Sequence, residues 1–208
     1  MLHFEKEQKT LQIGNLRIGG QPGENPITMV GSVFYKNHAA LLDEKTGEFD
    51  KKIVEQEVNE FLTLADETNM QTIIDVVGGY GDALIKECEY IASITECPFL
   101  VDGLNDTSRV PAMKGLGEIG LLDRAILNSI DENTNENTIK VLKQIGVKNA
   151  VLLTFGTRYI FPKQKVKLLT EKLIPAAEQA GIENYIVDTA VLDLPSICIN
   201  VETTRLIK

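Results

Sequence analysis

The chain has no tryptophan, only two histidines and only three cysteines among its 208 residues, and each shortage removes a class of chemistry. His3 and His38 cannot by themselves supply the several His or Cys ligands of a zinc centre, and they give little support to a Ser-His-Asp hydrolase. Cys88, Cys97 and Cys198 form no Cys-x-x-Cys pair and no Cys/His cluster, so structural thiols are expected and no bound metal. Basic residues are in deficit, with 21 Lys and Arg against 30 Asp and Glu for a net charge of -9. No Lys/Arg run is available to neutralise phosphates, which argues against nucleic acid as a partner. Long apolar runs are missing too: none approaches the roughly 18 residues of a membrane span. The N-terminal Met1-Leu-His-Phe-Glu-Lys-Glu7 places charges where a signal peptide needs an apolar core. No membrane insertion and a cytoplasmic location are the resulting expectations.

With 43% hydrophobic residues the chain can bury a sizeable core, and its length favours a single domain over residues 1–208. Strand-like runs recur at Ile27–Tyr35, Thr72–Val77, Phe99–Asp102, Arg124–Asn128, Ala150–Phe155 and Tyr185–Val191. Each is followed by a helical pattern. Lys51–Asp66 carries an apolar stripe through Val54, Val58, Phe61, Leu62 and Ala65, and Ala83–Thr95 another through Leu84, Ile85, Cys88 and Ile91. A third runs over Thr138–Ile145, with Gly146 placed as its stop, and a sixth helix is expected over Ser196–Lys208.

Six strand-helix units in alternation predict an α/β fold of parallel strands joined by right-handed crossovers. A closed eight-stranded barrel usually needs about 250 residues, whereas an open doubly wound sheet fits the length. The first strand-to-helix turn, Gly31-Ser-Val-Phe-Tyr-Lys-Asn-His38, carries neither G-x-G-x-x-G nor a Walker sequence, which argues against the nucleotide-binding version of the open sheet.

Parallel strands end on one face, so polar residues at strand ends converge on one small-molecule site. Asp102, Asn128 and Asp188 stand at the ends of the third, fourth and sixth runs. A carboxylate accepts two adjacent N–H groups at once, and an amide both donates and accepts, which together suit the edge of a nitrogen heterocycle. Asp102 has a second reading as a helix cap, because Asn105, Asp106, Thr107 and Ser108 follow it. Asp75, inside the second strand, is either a weaker site candidate or a buried, hydrogen-bonded interior residue. Gly78, Gly79 and Gly81 read as turn glycines before they read as an anion nest, and His38 as a loop or capping histidine before it reads as a catalyst. Tyr159 and Phe161 either cover the mouth of the site or pack a loop.

Ile18-Gly-Gly-Gln-Pro-Gly-Glu24, Gly31-Ser-Val-Phe-Tyr35 with His38, and Phe49-Asp-Lys-Lys52 together resemble the N-terminal signature of the H-subunit family of tetrahydromethanopterin S-methyltransferase. Pro98-Phe-Leu-Val-Asp102, Asp123-Arg-Ala-Ile-Leu-Asn-Ser-Ile130 and Val187-Asp-Thr-Ala-Val191 are similar to the same family in order and spacing.

The resemblance implies a pterin-binding (β/α)8 TIM-type barrel that moves a methyl group between a corrinoid (cobalamin) on a partner protein and a tetrahydropterin, tetrahydrofolate or tetrahydromethanopterin. It implies Asp102, Asn128 and Asp188 as pterin ligands and a homodimer as the assembly; by their chemistry Asn128 is expected near the reacting N5, and Asp102 either completes the clamp or holds a water near N5. Because the family's barrel continues through two further strands, the last two strand-helix units are expected to be missing here, whether by truncation, by proteolysis or in a shortened paralogue. Two rivals stand beside this reading: a non-catalytic subunit that docks a corrinoid protein or a second copy, and a different pterin enzyme resembling dihydropteroate synthase. The latter would need a basic diphosphate site, for which no Lys/Arg constellation is evident.

Overall fold

Asp50 sets the first long helix of the chain. Its carboxylate accepts from the backbone N–H groups of Lys52 (2.9 Å) and Ile53 (3.4 Å), which satisfies two orphan donors at the start of α1 (Lys51–Glu67). This computed structural model describes residues 3–207. Met1 and Leu2, part of the N-terminal charge reading, and Lys208, the end of the expected last helix, lie outside the described residues.

The fold is mixed α/β and divides into two compact units, Met1–Leu127 and Asn128–Lys208. The boundary falls within one strand, β8 (Ala125–Ile130).

Two hairpins in the first unit go beyond the expected elements. β1 (Thr10–Ile13) and β2 (Leu16–Gly19) pair antiparallel around Gly14-Asn15, where Gly14 has a φ of +53°. β4 (Leu41–Asp43) and β5 (Glu48–Phe49) form a second, shorter pair before α1. Between these hairpins and after them run the parallel strands β3 (Thr28–Val33), β6 (Gln71–Gly78) and β7 (Phe99–Gly103), with β6 in the middle. Their crossovers are α1 and α2 (Gly81–Ile94), and α3 (Asp106–Glu118) follows β7. The near-continuous apolar run of β6 matches a strand covered on both faces. Val54, Val58 and Ala65 of α1 are buried, as are Leu84, Cys88 and Ile91 of α2. Each large aliphatic side chain removed from water in this way stabilises the unit by about 1.5–3 kcal/mol. Gly31 lets α1 approach β3, since a Cβ there would stand 2.8 Å from the Phe61 ring. Arg124 closes the far end of α2 by donating to the carbonyls of Ala92, Thr95 and Cys97.

The second unit holds α4 (Glu136–Ile145), β9 (Asn149–Leu153), α5 (Pro162–Leu168), a π-helical turn over Leu169–Leu173, α6 (Ile174–Ala180), β10 (Asn184–Asp188) and α7 (Ser196–Ile207). β9 and β10 are parallel in register, Asn149 beside Asn184 through Leu153 beside Asp188. Asn135 caps α4, and Gly146 ends it at a φ of +82°, the stop that its position predicts. The ladder widens to π spacing just before Pro175, which has no N–H to donate.

The six strands end one to three residues from the expected positions, and two of these differences bear on candidate site residues. The fourth run continues to Ile130, so Asn128 lies inside β8 and not at its end. The sixth stops at Asp188, because Ala190 turns the chain through a φ of +55°, a left-handed conformation unlike that of a strand. All three cysteines are free, but only Cys88 is buried, with Cys97 half-buried and Cys198 exposed on α7. Among the described residues no helix is long and apolar enough to cross a membrane.

Candidate functional site

In the first unit, the parallel register makes Ser32 the direct neighbour of Asp75, and Val77 that of Asp102. Alternation along a strand then turns Ser32, Asp75 and Asp102 to the same face of the sheet, near the C-terminal ends of β3, β6 and β7. Ser32 Oγ donates to Asp75 Oδ2 at 2.7 Å, while Asp75 Oδ1 is buried without a hydrogen-bond partner among the described residues. Burial raises the Asp75 carboxyl above its ordinary range, and the Ser32 hydroxyl offsets part of that rise. Asp102 is half-buried and pushed up to about 7, first by burial and then by the charge of Asp75, against the opposing pull of Arg109. Arg109 is itself buried and bonded to Asp106 through Nε at 2.9 Å.

Asp102 is not the helix cap. Asn105 takes that role at α3, accepting from the Thr107 N–H while the Ser108 hydroxyl closes a capping box. Asp75 matches the interior reading in being buried and bonded, yet one of its oxygens lacks a partner.

A third acid comes from the opposite face. Glu87 is 1% exposed, sits on the buried stripe of α2, and has Oε2 without a hydrogen-bond partner among the described residues. Its Oε2 would lie 3.0 Å from a Cβ placed on Gly78, and Glu44 Oε1 the same distance from one on Gly79. Burial, then the charge of Glu44, pushes the Glu87 carboxyl up to about 8. Gly78 ends β6 and Gly81 opens α2, and none of Gly78, Gly79 and Gly81 has the positive φ that the alternating backbone of an anion nest requires. The same environment, with Asp75, raises the Cys88 thiol well above its usual range, so this cysteine is an inert core thiol. Sequence reasoning missed Glu87, although it falls three residues after Leu84 and four before Ile91, on a stripe whose other members are apolar.

His38 lies in the loop between β3 and β4, as expected of a loop histidine, and is buried there. It pairs with Glu57 of α1 through Nε2 at 2.8 Å, packs against Phe34 and Tyr35, and lines a cavity of about 190 Å³ with Ser32, Val58 and Phe61.

In the second unit, Asn128 is half-buried in β8, and Asp188 is exposed at the very end of β10. Asp188 Oδ1 accepts the Ala190 N–H at 2.7 Å, and its carbonyl accepts both the N–H and the hydroxyl of Thr154. Lys165 of α5 is 3% exposed, its ammonium form disfavoured by burial and favoured by the charge of Asp188. Phe161 is exposed at the start of α5, and the half-buried Tyr159 lies in the loop before it. Among the described residues no group of three or more His, Cys, Asp and Glu is placed to hold a metal ion.

Parallel strands joined by helical crossovers, with one half-buried carboxyl raised to the neutral range near the end of β7, define an α/β protein whose strand ends carry ionisable side chains. The tetrahydromethanopterin S-methyltransferase MtrH subunit family matches residues 6–208, and the chain belongs to this family. It is similar to the H subunit of tetrahydromethanopterin S-methyltransferase from Methanopyrus kandleri, 32% identical over 193 residues, covering 89% of this chain and 60% of that protein. The corresponding protein of Methanothermobacter marburgensis is 32% identical over 201 residues, 93% of this chain and 65% of its own. That of Methanocaldococcus jannaschii is 31% identical over 201 residues, 93% and 63%. The chain thus spans somewhat less than two thirds of the length of these relatives.

Proposed function

We propose that this chain is the tetrahydropterin-binding part of a methyltransferase, exchanging a methyl group between a tetrahydropterin and a corrinoid (cobalamin) held by a separate protein. Its family membership supports the reaction class, and the Asp75–Asp102 couple is the single structural observation that carries the reading. A reduced pterin presents a ring N–H beside an exocyclic amine, which an aspartate can accept together. Asp75, Asp102, Asn128 and Asp188 are the proposed ligands, and the six strand-helix units are proposed to belong to a single domain of the pterin-binding (β/α)8 barrel type. Tetrahydrofolate and tetrahydromethanopterin present the same pterin edge to these groups.

The chemistry asks the protein chiefly to position N5 and to manage one proton. Displacement at a methyl carbon needs the nucleophile in line and competing water excluded, so orientation by fixed side chains is the main contribution. Departure of a methyl group from N5 is assisted by protonation of that nitrogen. Asp102, near 7, exchanges a proton at neutral pH, and we assign it this role, with Asp75 as the neighbour whose charge keeps the proton available. Asn128 is assigned to orient N5 by donating to, or accepting from, the ring.

The test is binding of tetrahydrofolate and of tetrahydromethanopterin by calorimetry, followed by methyl transfer from methylcobalamin to whichever binds. Saturable binding of one pterin, weakened in D188A and D102N, is the expected outcome. Absence of binding to either would overturn the proposal.

A non-catalytic docking role is the second reading, favoured by the exposed apolar side chains Val191, Leu192, Leu194, Ile197 and Val201 along the loop after β10 and α7. The corrinoid protein is the partner proposed under either reading. A second copy of the chain is proposed as well, because β3 pairs with β6 on one flank and exposes Val30, with Ile27 exposed just before it. A chain that binds no pterin yet co-elutes with its corrinoid protein would favour docking.

A further inference from the structure

Three consecutive backbone carbonyls at the end of β10 are each taken by a different part of the second unit. The Asp188 carbonyl accepts from Thr154, which follows β9, through both the N–H at 2.9 Å and the hydroxyl at 2.8 Å. The Thr189 carbonyl accepts from Nζ of Lys165 on α5. The Ala190 carbonyl accepts from Nδ2 of Asn200 on α7 at 3.3 Å. Lys165 and Asn200 are joined to each other, Nζ to Oδ1, at 3.0 Å, and Asn200 Nδ2 also donates to the Ser196 carbonyl at 2.8 Å. Both side chains are buried, as is Thr154.

This arrangement is costly unless it serves something. An ammonium group loses most of its hydration when buried, and neutral carbonyl and amide acceptors replace only part of it. A methionine of similar length would fill the same space without that loss. The charge that favours the buried ammonium is Asp188, whose carboxylate spends Oδ1 on the Ala190 N–H and thereby fixes a residue in the left-handed region. Backbone in that region persists at a non-glycine residue only when its surroundings over-determine it. Here Thr154, Lys165 and Asn200 do so.

We propose that Lys165, acting with Asn200, is the positioning residue that locks the Asp188–Ala190 turn and aims the Asp188 carboxylate at its ligand. With Oδ1 held by the turn, Oδ2 is the acceptor offered to an N–H donor. Lys165 touches no ligand itself; it fixes where the carboxylate stands and places a positive charge behind it. The ligand part of this inference rests on the pterin reading of Asp188, whereas the mechanical part does not.

The experiment therefore has two arms, run on K165M, N200A, D188N and the double variant K165M/D188N. In the first, amide hydrogen exchange compares the turn with the rest of the chain. Faster exchange over residues 189–192 in K165M, with β6 and β7 unchanged, is expected, and unchanged protection in both K165M and N200A overturns the lock. In the second arm, pterin affinity is measured for each variant. K165M should weaken binding by roughly 10- to 100-fold, the range typical when the partner that orients a ligating residue is lost. The double variant should be no weaker than D188N alone, because Lys165 acts through that carboxylate. Additive losses would show that Lys165 contributes independently of Asp188, and the aiming role would fall. Failure of the unaltered chain to bind any pterin would overturn the ligand assignment while the exchange arm still decides the lock. If K165M does not fold, N200A carries both arms, since it removes the Ala190 bond and one of the two acceptors of Lys165 together.

Discussion

Ser32 and Asp75 sit side by side on neighbouring parallel strands, 43 residues apart in the chain, and a 2.7 Å hydrogen bond joins the Ser32 hydroxyl to Asp75 Oδ2. It restrains a carboxyl that burial is driving toward its neutral form. S32A removes the restraint, so the Asp75 titration should move further up, as followed by carboxyl carbon NMR. Loss of the bond should also destabilise the chain by about 1–3 kcal/mol in denaturant unfolding, the usual cost of leaving a buried polar group unsatisfied.

Glu87 makes stability depend on pH. Its folded carboxyl titrates near 8 against an ordinary 4.5, so between these values the native state retains a proton that the unfolded chain has released. Stability contributed by the neutral acid is therefore complete below about pH 4.5 and declines as pH rises toward 8, at up to ~1.4 kcal/mol per pH unit. E87Q keeps the shape and removes the titration. Thermal melts should show the unaltered chain losing stability from pH 6 to pH 8 and E87Q losing markedly less; parallel curves would show that Glu87 does not titrate in this range.

Asp102 and Asp75 are coupled in a direction that can be checked. Because the charge of Asp75 helps hold Asp102 up near 7, D75N should lower the Asp102 titration, and R109M should raise it. If Asp102 supplies the proton to N5, the pH profile of methyl transfer from methyl-tetrahydropterin should shift with it. D102N should lower that rate by about 10²- to 10⁴-fold, the usual contribution of a general acid, with smaller effect on pterin affinity.

Asp188 is exposed, so replacing it should leave the fold intact. D188N keeps an oxygen for the Ala190 N–H and removes the charge offered to a ligand. Pterin affinity should fall by roughly 10- to 100-fold, corresponding to loss of a charge-assisted hydrogen bond of about 1.5–3 kcal/mol. Calorimetry of D188N against the parent chain measures this, and an unchanged affinity would remove Asp188 from the site.

Legibility differed from residue to residue for identifiable reasons. The apolar stripes of α1, α2 and α4 and the stop at Gly146 are local patterns, and the structure reproduces them within a few residues. Asp188 was visible as a strand-terminal carboxylate. The end of β8 was not, because Ser129 and Ile130 continue the strand without a turn signal between. The two short hairpins escaped notice because four- and two-residue strands leave too little alternation to detect. Lys165 and Glu87 were overlooked because charged residues are ordinarily solvated. Both lie three residues from buried leucines, Leu168 and Leu84, and that spacing was the available signal.

Family membership and the alternation of strand with helix were already written in the order of side chains, because periodicity and short motifs are properties of neighbouring residues. Protonation and partnership were not. Whether Asp102 holds a proton at neutral pH, whether Glu87 Oε2 finds a hydrogen-bond partner among the described residues, and what grips the turn after Asp188 depend on how much water is excluded and which charge comes near. Those distances are set only when segments remote in the chain pack together, as Ser32 does with Asp75 and Lys165 with Asn200.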